Sequence, residues 1–318
     1  LVENNNMNNN YKNSQEKKEI IQAQYVNEEI EYTFSSNAIF HFMEKEEYLL
    51  WILKNKGLAP RYCEENIKYL SLSDYKSIDT VKILQKCFCD IPLHNITKHQ
   101  PIEIIGENKL SEKEHNKFIQ SCTHTGIYGK YGIGFRKSWG VKNNLQPIHY
   151  VSRDQSSYLI RSLKKVFQYV ISQKEIDDLI VEDILLRIAY YKPLCGVMKR
   201  IVSGQDIIVR KNFYDECEWR YVPPYSVLKK HRYEPVIFKE SIQNEYLNIN
   251  NNIQKEKLSD LWLKFEYLDI LYIIVPNNNA REKIIKVISE LEDQQLKKTD
   301  KYLLISRILV LDEIEKDW

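Results

Sequence analysis

Ala38-Ile39-Phe40-His41-Phe42-Met43, then Glu44 to Lys56, then Gly57-Leu58-Ala59-Pro60, is the stretch on which the fold turns. Its first six residues are an apolar run of strand length with one histidine inside it. From Lys45 to Lys56, the residues Tyr48, Leu49, Ile52 and Leu53 recur at helical spacing. Glu44, Glu46 and Glu47 stand near the start, where a helix dipole favours negative charge. Gly57 is placed to stop the helix. The pattern is strand, helix, turn, and it predicts a mixed α+β core.

The rest of the chain extends that reading. Cys87-Phe88-Cys89-Asp90-Ile91 is a second strand candidate, closed by Pro92. Thr97 to Thr125 is polar and irregular, and a loop with a short helix is expected there. Ile127 to Phe135 reads as a Gly-punctuated strand, where the backbone bends or comes close to something. Ile148–Val151 and a strand pair within Ile207–Val222 follow the same logic. Two amphipathic helices are expected over Ser157–Gln173 and Lys174–Tyr190, packed on each other and ended by Lys192-Pro193. Ile270–Val275, a helix over Ala280–Leu291 opened by Asn277-Asn278-Asn279, and Ile308–Leu311 complete the set. Ile39–Met43, Cys87–Ile91, Ile127–Phe135 and Cys217–Val222 are expected in one mixed, twisted sheet flanked by helices. Residues 1–25, rich in Asn, Lys and Glu, read as a disordered or weakly ordered tail. Residues 26–318 read as a single α+β domain with a polar surface loop near 239–257.

Composition narrows the function. Of the 318 residues, 43% are hydrophobic and 28% charged, enough apolar material for a core. Lys+Arg is 46 against Asp+Glu 44, so nucleic acid is not the expected partner. Six cysteines lie far apart, which fits a reducing compartment better than a disulfide framework. No stretch approaches the ~18–20 apolar residues of a membrane span, and the N-terminus lacks a signal-peptide core. A cytoplasmic protein is expected.

Three constellations could carry chemistry. In Phe213-Tyr-Asp-Glu-Cys-Glu-Trp-Arg-Tyr-Val-Pro223, strand alternation would put Glu216, Glu218 and Arg220 on one face and Cys217, Trp219 and Tyr221 on the other. Two carboxylates two residues apart can divide labour, one orienting a hydroxyl and one stabilising positive charge. The alternative is a structural Glu–Arg pair on an exposed edge. His41 is either a site residue or a core histidine bonded to backbone. Around Tyr131, the glycines of Tyr128-Gly-Lys-Tyr-Gly-Ile-Gly-Phe135 do not have phosphate-loop spacing, nor does Lys137-Ser138 complete such a loop. They would let a flat ring or a ribose lie close to the backbone, or else mark a strongly twisted strand. Cys87-x-Cys89 with Asp90, His94 and His99 lacks the knuckle spacing of a zinc site, and no metal is expected.

Ile39-Phe40-His41-Phe42 with its helix and Gly57-Leu58, Cys87 to Leu93, Tyr128 to Phe135 with Trp139-Gly140, and Glu216-x-Glu218-Trp219-Arg220-Tyr221-Val222-Pro223 together resemble the AbiGi family. The closing Ser306-Arg307-Ile308 to Asp312-Glu313-Ile314 adds to the likeness, which spans roughly Phe34 to the C-terminus. The resemblance implies phage abortive infection, as the antitoxin half of a two-gene system whose partner is a nucleotidyltransferase-like toxin. A looser likeness joins strand, His, helix and Gly-Leu to the opening of DarT-type and other ADP-ribosyltransferase-like folds. It implies NAD as substrate, with Glu218, Glu216 and His41 as catalytic residues and His41, Tyr131 and Arg136 contacting the cofactor. His41, Tyr131 and Glu218 would then converge on one cleft. The chain departs from that pattern at Met43, where Thr or Gly often stands. The two implied functions, an NAD-using effector and a non-enzymatic antitoxin that binds a cognate toxin or another defence protein, remain open at this point.

Overall fold

The computed structural model describes residues 35–70, 79–106, 110–154, 157–173, 177–238 and 243–317. The expected tail, residues 1–25, lies outside them, as do 174–176 at the start of the second predicted helix and 239–242 of the predicted loop.

The strand and helix that opened the sequence reading form as expected. β1 (Ala38–Met43) runs into α1 (Glu46–Asn55), whose Leu49, Ile52 and Leu53 are buried. The helix ends differently from the expectation, because Lys56, not Gly57, adopts the left-handed conformation (φ 47°). Gly57 already pairs with Lys264, and a Cβ on it would lie 3.0 Å from the Trp262 ring.

The sheet strands that matter are β2 (Arg61–Asn66), β3 (Thr80–Cys89), β4 (Ile102–Ile105), β5 (Tyr131–Arg136), β6 (Cys195–Val202), β7 (Gln205–Asn212), β8 (Glu218–Tyr221), β9 (Ile270–Val275) and β10 (Ile308–Val310). The main sheet has the order β10-β9-β5-β1-β3-β8, with Gln146–Pro147 on the far edge of β8. β2 and Val236–Ile237 pair with the N-terminal half of β3. Among the described residues, the pairs within this sheet are antiparallel except β9 with β10, so the sheet is mixed. A separate three-stranded sheet has the order β6-β7-β4. No sheet closes into a barrel among the described residues. The fold is α+β, with the four expected strands in one sheet.

The two faces of the sheet have different fillings. On one, Ile39 and Met43 of β1 join Ile133, Phe135 and Phe88, covered by α1, by Trp139 of α3 (Lys137–Lys142) and by α6 (Asn278–Ser289). On the other, Phe40 and Phe42 meet Cys89, Ile91 and Ile274. The glycines of β5 belong to this second face. Gly134 and Gly132 lie opposite Phe40 and Phe42, and added Cβ atoms would come 2.7 and 2.9 Å from those rings. The flat rings that need the bare backbone are the protein's own.

Helices α4 (Tyr158–Ser172) and α5 (Asp178–Tyr190) pack together as expected, Ile160, Leu163 and Phe167 meeting Ile184, Leu185 and Ile188 over Val81, Ile83 and Val222. Other segments differ. The stretch Ile127–Phe135 is not all strand, since α2 (His124–Tyr128) precedes β5. The polar stretch near 239–257 holds a helix, Gln243–Ile253, rather than a loop throughout. Its Asn250 is buried and bonds both the N–H and the C=O of Tyr62 (2.7 and 3.2 Å), so its polarity serves a backbone contact.

Candidate functional site

β8 is short and begins abruptly. The turn Phe213–Glu216 ends with Cys217 in the left-handed region (φ 42°), which breaks the strand alternation assumed from sequence. Cys217 is exposed rather than on a core face. Glu216 arrives from a turn, yet it is buried beside Glu218. Antiparallel pairing sets Glu218 opposite Cys89 and Arg220 opposite Cys87, which puts both on the Phe40 side of the sheet.

A continuous chain of ion pairs runs from there. Arg220, fully buried, directs Nε and Nη2 at Glu218 Oε1 (3.0 and 2.8 Å), Nη2 also at Glu65 Oε1 (3.2 Å), and Nη1 at the carbonyl of Ala189. Gln85 Nε2 donates to the same Glu65 oxygen at 3.1 Å. Lys192, just past α5, bridges Glu218 Oε2 and Glu216 Oε2, both at 2.7 Å. Lys211 on β7 stands 2.9 Å from Glu216 Oε1. Tyr128 on α2 donates its hydroxyl to Glu216 Oε1 and accepts from Lys211 Nζ at 3.1 Å. The Lys211 and Lys192 ammonium groups lie 4.6 and 4.8 Å from the ring centres of Tyr128 and Phe213.

Three carboxylates (Glu65, Glu216, Glu218) face three cations (Lys192, Lys211, Arg220), so the cluster is neutral as a whole. Buried charges persist only when paired and hydrogen-bonded. Burial pushes both glutamates upward, but their cations prevail: Lys192 and Lys211 hold Glu216, and Arg220 and Lys192 hold Glu218, below the usual carboxylate range. Burial lowers Lys192, and the two glutamates more than reverse it. Lys211 is pulled down by burial despite its contact with Glu216.

The cluster forms part of the wall of a cleft of about 1150 Å³, with Phe40, Phe42 and Phe213 along it and Lys68, Arg153, Lys199 and Asp206 among its charged lining. His124 lines it too, its ring 5.1 Å from Phe42 and 4.7 Å from Tyr128. Burial, with help from Lys211, lowers the His124 pKa to about 3. Its Nδ1 and the Oε1 of Gln85 are buried without a hydrogen-bond partner among the described residues.

The residues singled out from sequence fall in three places. Glu216 and Glu218 meet in the cleft. His41 also lines that cleft, but it follows Phe40 by one residue, so alternation along β1 turns its ring from the Phe40 face. There its ring is 5.7 Å from Phe88, and its Nδ1 is 2.9 Å from the Cys87 carbonyl. Although part of its surface is accessible, burial and the charge of Lys86 lower its pKa to about 3. Tyr131 pairs with Met43, packs against the α1 side of the core, and has its hydroxyl pKa raised by burial and by Glu46. Arg136 is exposed at the end of β5, close enough to Arg307 to add to the lowering that burial imposes there. Of the three residues expected to share a cleft, His41 and Glu218 both line this one, and Tyr131 is not among its lining. Lys192, Lys211, Glu65, Tyr128 and His124 were not picked out as site residues. Only Lys211 carried a signal, as the lysine ending the apolar face Ile207-x-Val209-x-Lys211. Among the described residues, no group of three or more His, Cys, Asp or Glu side chains is placed to hold a metal, and no helix is long and apolar enough to cross a membrane.

The fold and site define an α+β protein with a charge-neutral ion-pair chain buried beside an open cleft. The family model for the abortive phage resistance protein AbiGi, described as an antitoxin, matches residues 118–276. The abortive phage resistance protein AbiGi of Lactococcus lactis subsp. cremoris is 31% identical over 278 residues, covering 82% of this chain and 100% of that protein. The chain belongs to the AbiGi family of abortive phage resistance proteins. No solved structure matches it. The matched region holds His124, Tyr128, Lys192, Lys211, Glu216, Glu218 and Arg220, while Glu65 and Gln85 lie before it.

Proposed function

We propose that this chain is the antitoxin of an abortive-infection pair and that it acts by binding its toxin rather than by chemistry on NAD. The observation that carries this reading is the state of Glu218. A carboxylate that stabilises an oxocarbenium-like transition state needs a charge aimed at the reacting carbon. Both oxygens of Glu218 are instead held by Arg220 and Lys192, and both oxygens of Glu216 by Tyr128, Lys211 and Lys192. His41, the expected ribose contact, has its Nδ1 on the Cys87 carbonyl and its ring beside Phe88. The family model's description as an antitoxin points the same way.

The cleft supports a second reading. Its volume lies just above the roughly 300–1,000 Å³ of ligand pockets, and Glu216 and Glu218 are among the four glutamates that line it. On that reading the chain is an ADP-ribosyltransferase-like enzyme using NAD, with Glu218 and Glu216 as catalytic groups. Two assays on one preparation separate the readings. Co-expression with the cognate toxin should restore growth and yield a complex on purification, while the purified chain releases no nicotinamide from NAD. Nicotinamide release that Glu218→Gln abolishes, in a variant that melts like the parent, would replace the antitoxin reading with the enzymatic one.

A further inference from the structure

Buried polar groups are almost always hydrogen-bonded. Gln85 and His124 line the cleft and are 2% and 3% exposed, yet Gln85 Oε1 and His124 Nδ1 have no partner among the described residues. Turning the Gln85 amide would not relieve this. Its Nε2 donates to Glu65 Oε1, a carboxylate oxygen that only accepts and that also receives Arg220 Nη2. The amide oxygen therefore faces away from Glu65, as an acceptor without a donor. Gln85 stands four residues before Cys89, the partner of Phe40, so alternation puts it on the Phe40 face. His124 is on that face too, with its ring against Phe42 and Tyr128. Burial lowers its pKa to about 3, so the ring is neutral and Nδ1 has one hydrogen bond to give or take.

The charges of the cleft are unevenly matched. Glu65, Glu216, Glu218 and Lys192 belong to the buried chain of ion pairs. Glu64 is paired with Lys82, Lys68 with Asp79 at 4.0 Å, and Lys199 with Asp206 at 2.6 Å. Arg153 is exposed, lines the same cleft, and makes no ion pair among the described residues. One positive charge is thus left over in an otherwise balanced lining.

We propose that the cleft binds a nucleoside monophosphate, with the edge of its base on Gln85 Oε1 and His124 Nδ1 and its phosphate on Arg153. A base supplies the N–H donor that Gln85 lacks, together with flat faces suited to a wall of Phe40, Phe42 and Phe213. A monophosphate answers the single unpaired cation, whereas a triphosphate would bring more charge than the lining meets. The proposal concerns binding without turnover. It does not rest on the antitoxin reading, because it is measured on the chain without toxin.

Calorimetric titration of the full chain with AMP, GMP, CMP and UMP, each compared with its nucleoside, tests it. At least one nucleotide should bind at one per chain, about tenfold or more tighter than its nucleoside. His124→Phe and Gln85→Met should each weaken that nucleotide about tenfold, the effect of one lost hydrogen bond. His124→Phe should melt no lower than the parent at pH 7, since it removes a polar atom that has no bond to lose. Arg153→Gln should bring the nucleotide to the level of its nucleoside and leave the nucleoside unchanged. Gln85→Met also removes the donor to Glu65, so if it does not fold, the other two variants decide. The proposal is overturned if none of the four nucleotides binds, or if binding ignores His124→Phe and Arg153→Gln, which would place it on another surface. Inorganic phosphate that binds as tightly as the nucleotide would also overturn it, leaving an anion site without a base site.

Discussion

Lys192 is the residue on which the buried cluster depends, since among the described residues it alone makes ion pairs with both Glu216 and Glu218. Removing one partner of a buried pair costs more than the pair contributes, because it leaves a charge uncompensated. Lys192→Met should therefore lower stability by about 3–5 kcal/mol, read from urea unfolding. A loss below about 1 kcal/mol, the range of exposed pairs, would contradict the account of the cluster. Residue identity was readable before residue placement. Glu216, Glu218 and Arg220 stood out as a set of charges beside a core face, and they are buried and paired. Their common strand face was misjudged for Glu216, because Cys217 turns left-handed and ends the alternation. Lys192 gave no warning, since a Lys before Pro193 at a helix end looks like solvated surface.

At the scale of elements, β1 and β5 show why composition located strands better than faces. Apolar runs and glycines marked where the strands are, whereas a one-residue change of frame exchanges their two sides. His41 follows Phe40, and that single step turns its ring from the Phe40 face. The glycines of β5 were readable as a close approach, but the approaching rings come from a strand about 90 residues away in sequence. Gly134→Ala should overpack Phe40 and cost about 1–3 kcal/mol. Adding Phe40→Leu should return part of that loss in the same unfolding assay. An unchanged midpoint for Gly134→Ala would mean that the ring is not held against β5. The helix Gln243–Ile253 was unreadable for a different reason: its buried Asn250 serves the backbone of Tyr62, so polarity mimicked a surface loop.

For the whole molecule, protonation links the two faces. His41 and His124 have pKa values near 3 in the fold against about 6.5 unfolded. Between those values the unfolded chain binds protons that the native chain refuses, so stability falls as pH drops below about 6.5. Each histidine accounts for about 1.4 kcal/mol by pH 5.5. Glu216 and Glu218 act lower down: their depressed pKa values add stability that is complete above about 4.5 and is lost as pH falls through the folded values. Urea unfolding at pH 7 and 5.5 should show the loss, and His124→Phe should remove about half of it. Equal stability of the parent at both pH values would contradict the buried, neutral histidines.

Binding and turnover differ in stoichiometry, and a titration of toxin activity with the purified chain separates them most directly. A binding antitoxin must be supplied in proportion to the toxin, whatever the NAD concentration, because each molecule is consumed in a complex. An enzyme silences many toxin molecules per copy and requires its co-substrate. The account predicts an end point at a fixed stoichiometric ratio that neither NAD nor time alters. Complete silencing by substoichiometric amounts, dependent on NAD and lost with Glu218→Gln, would contradict it.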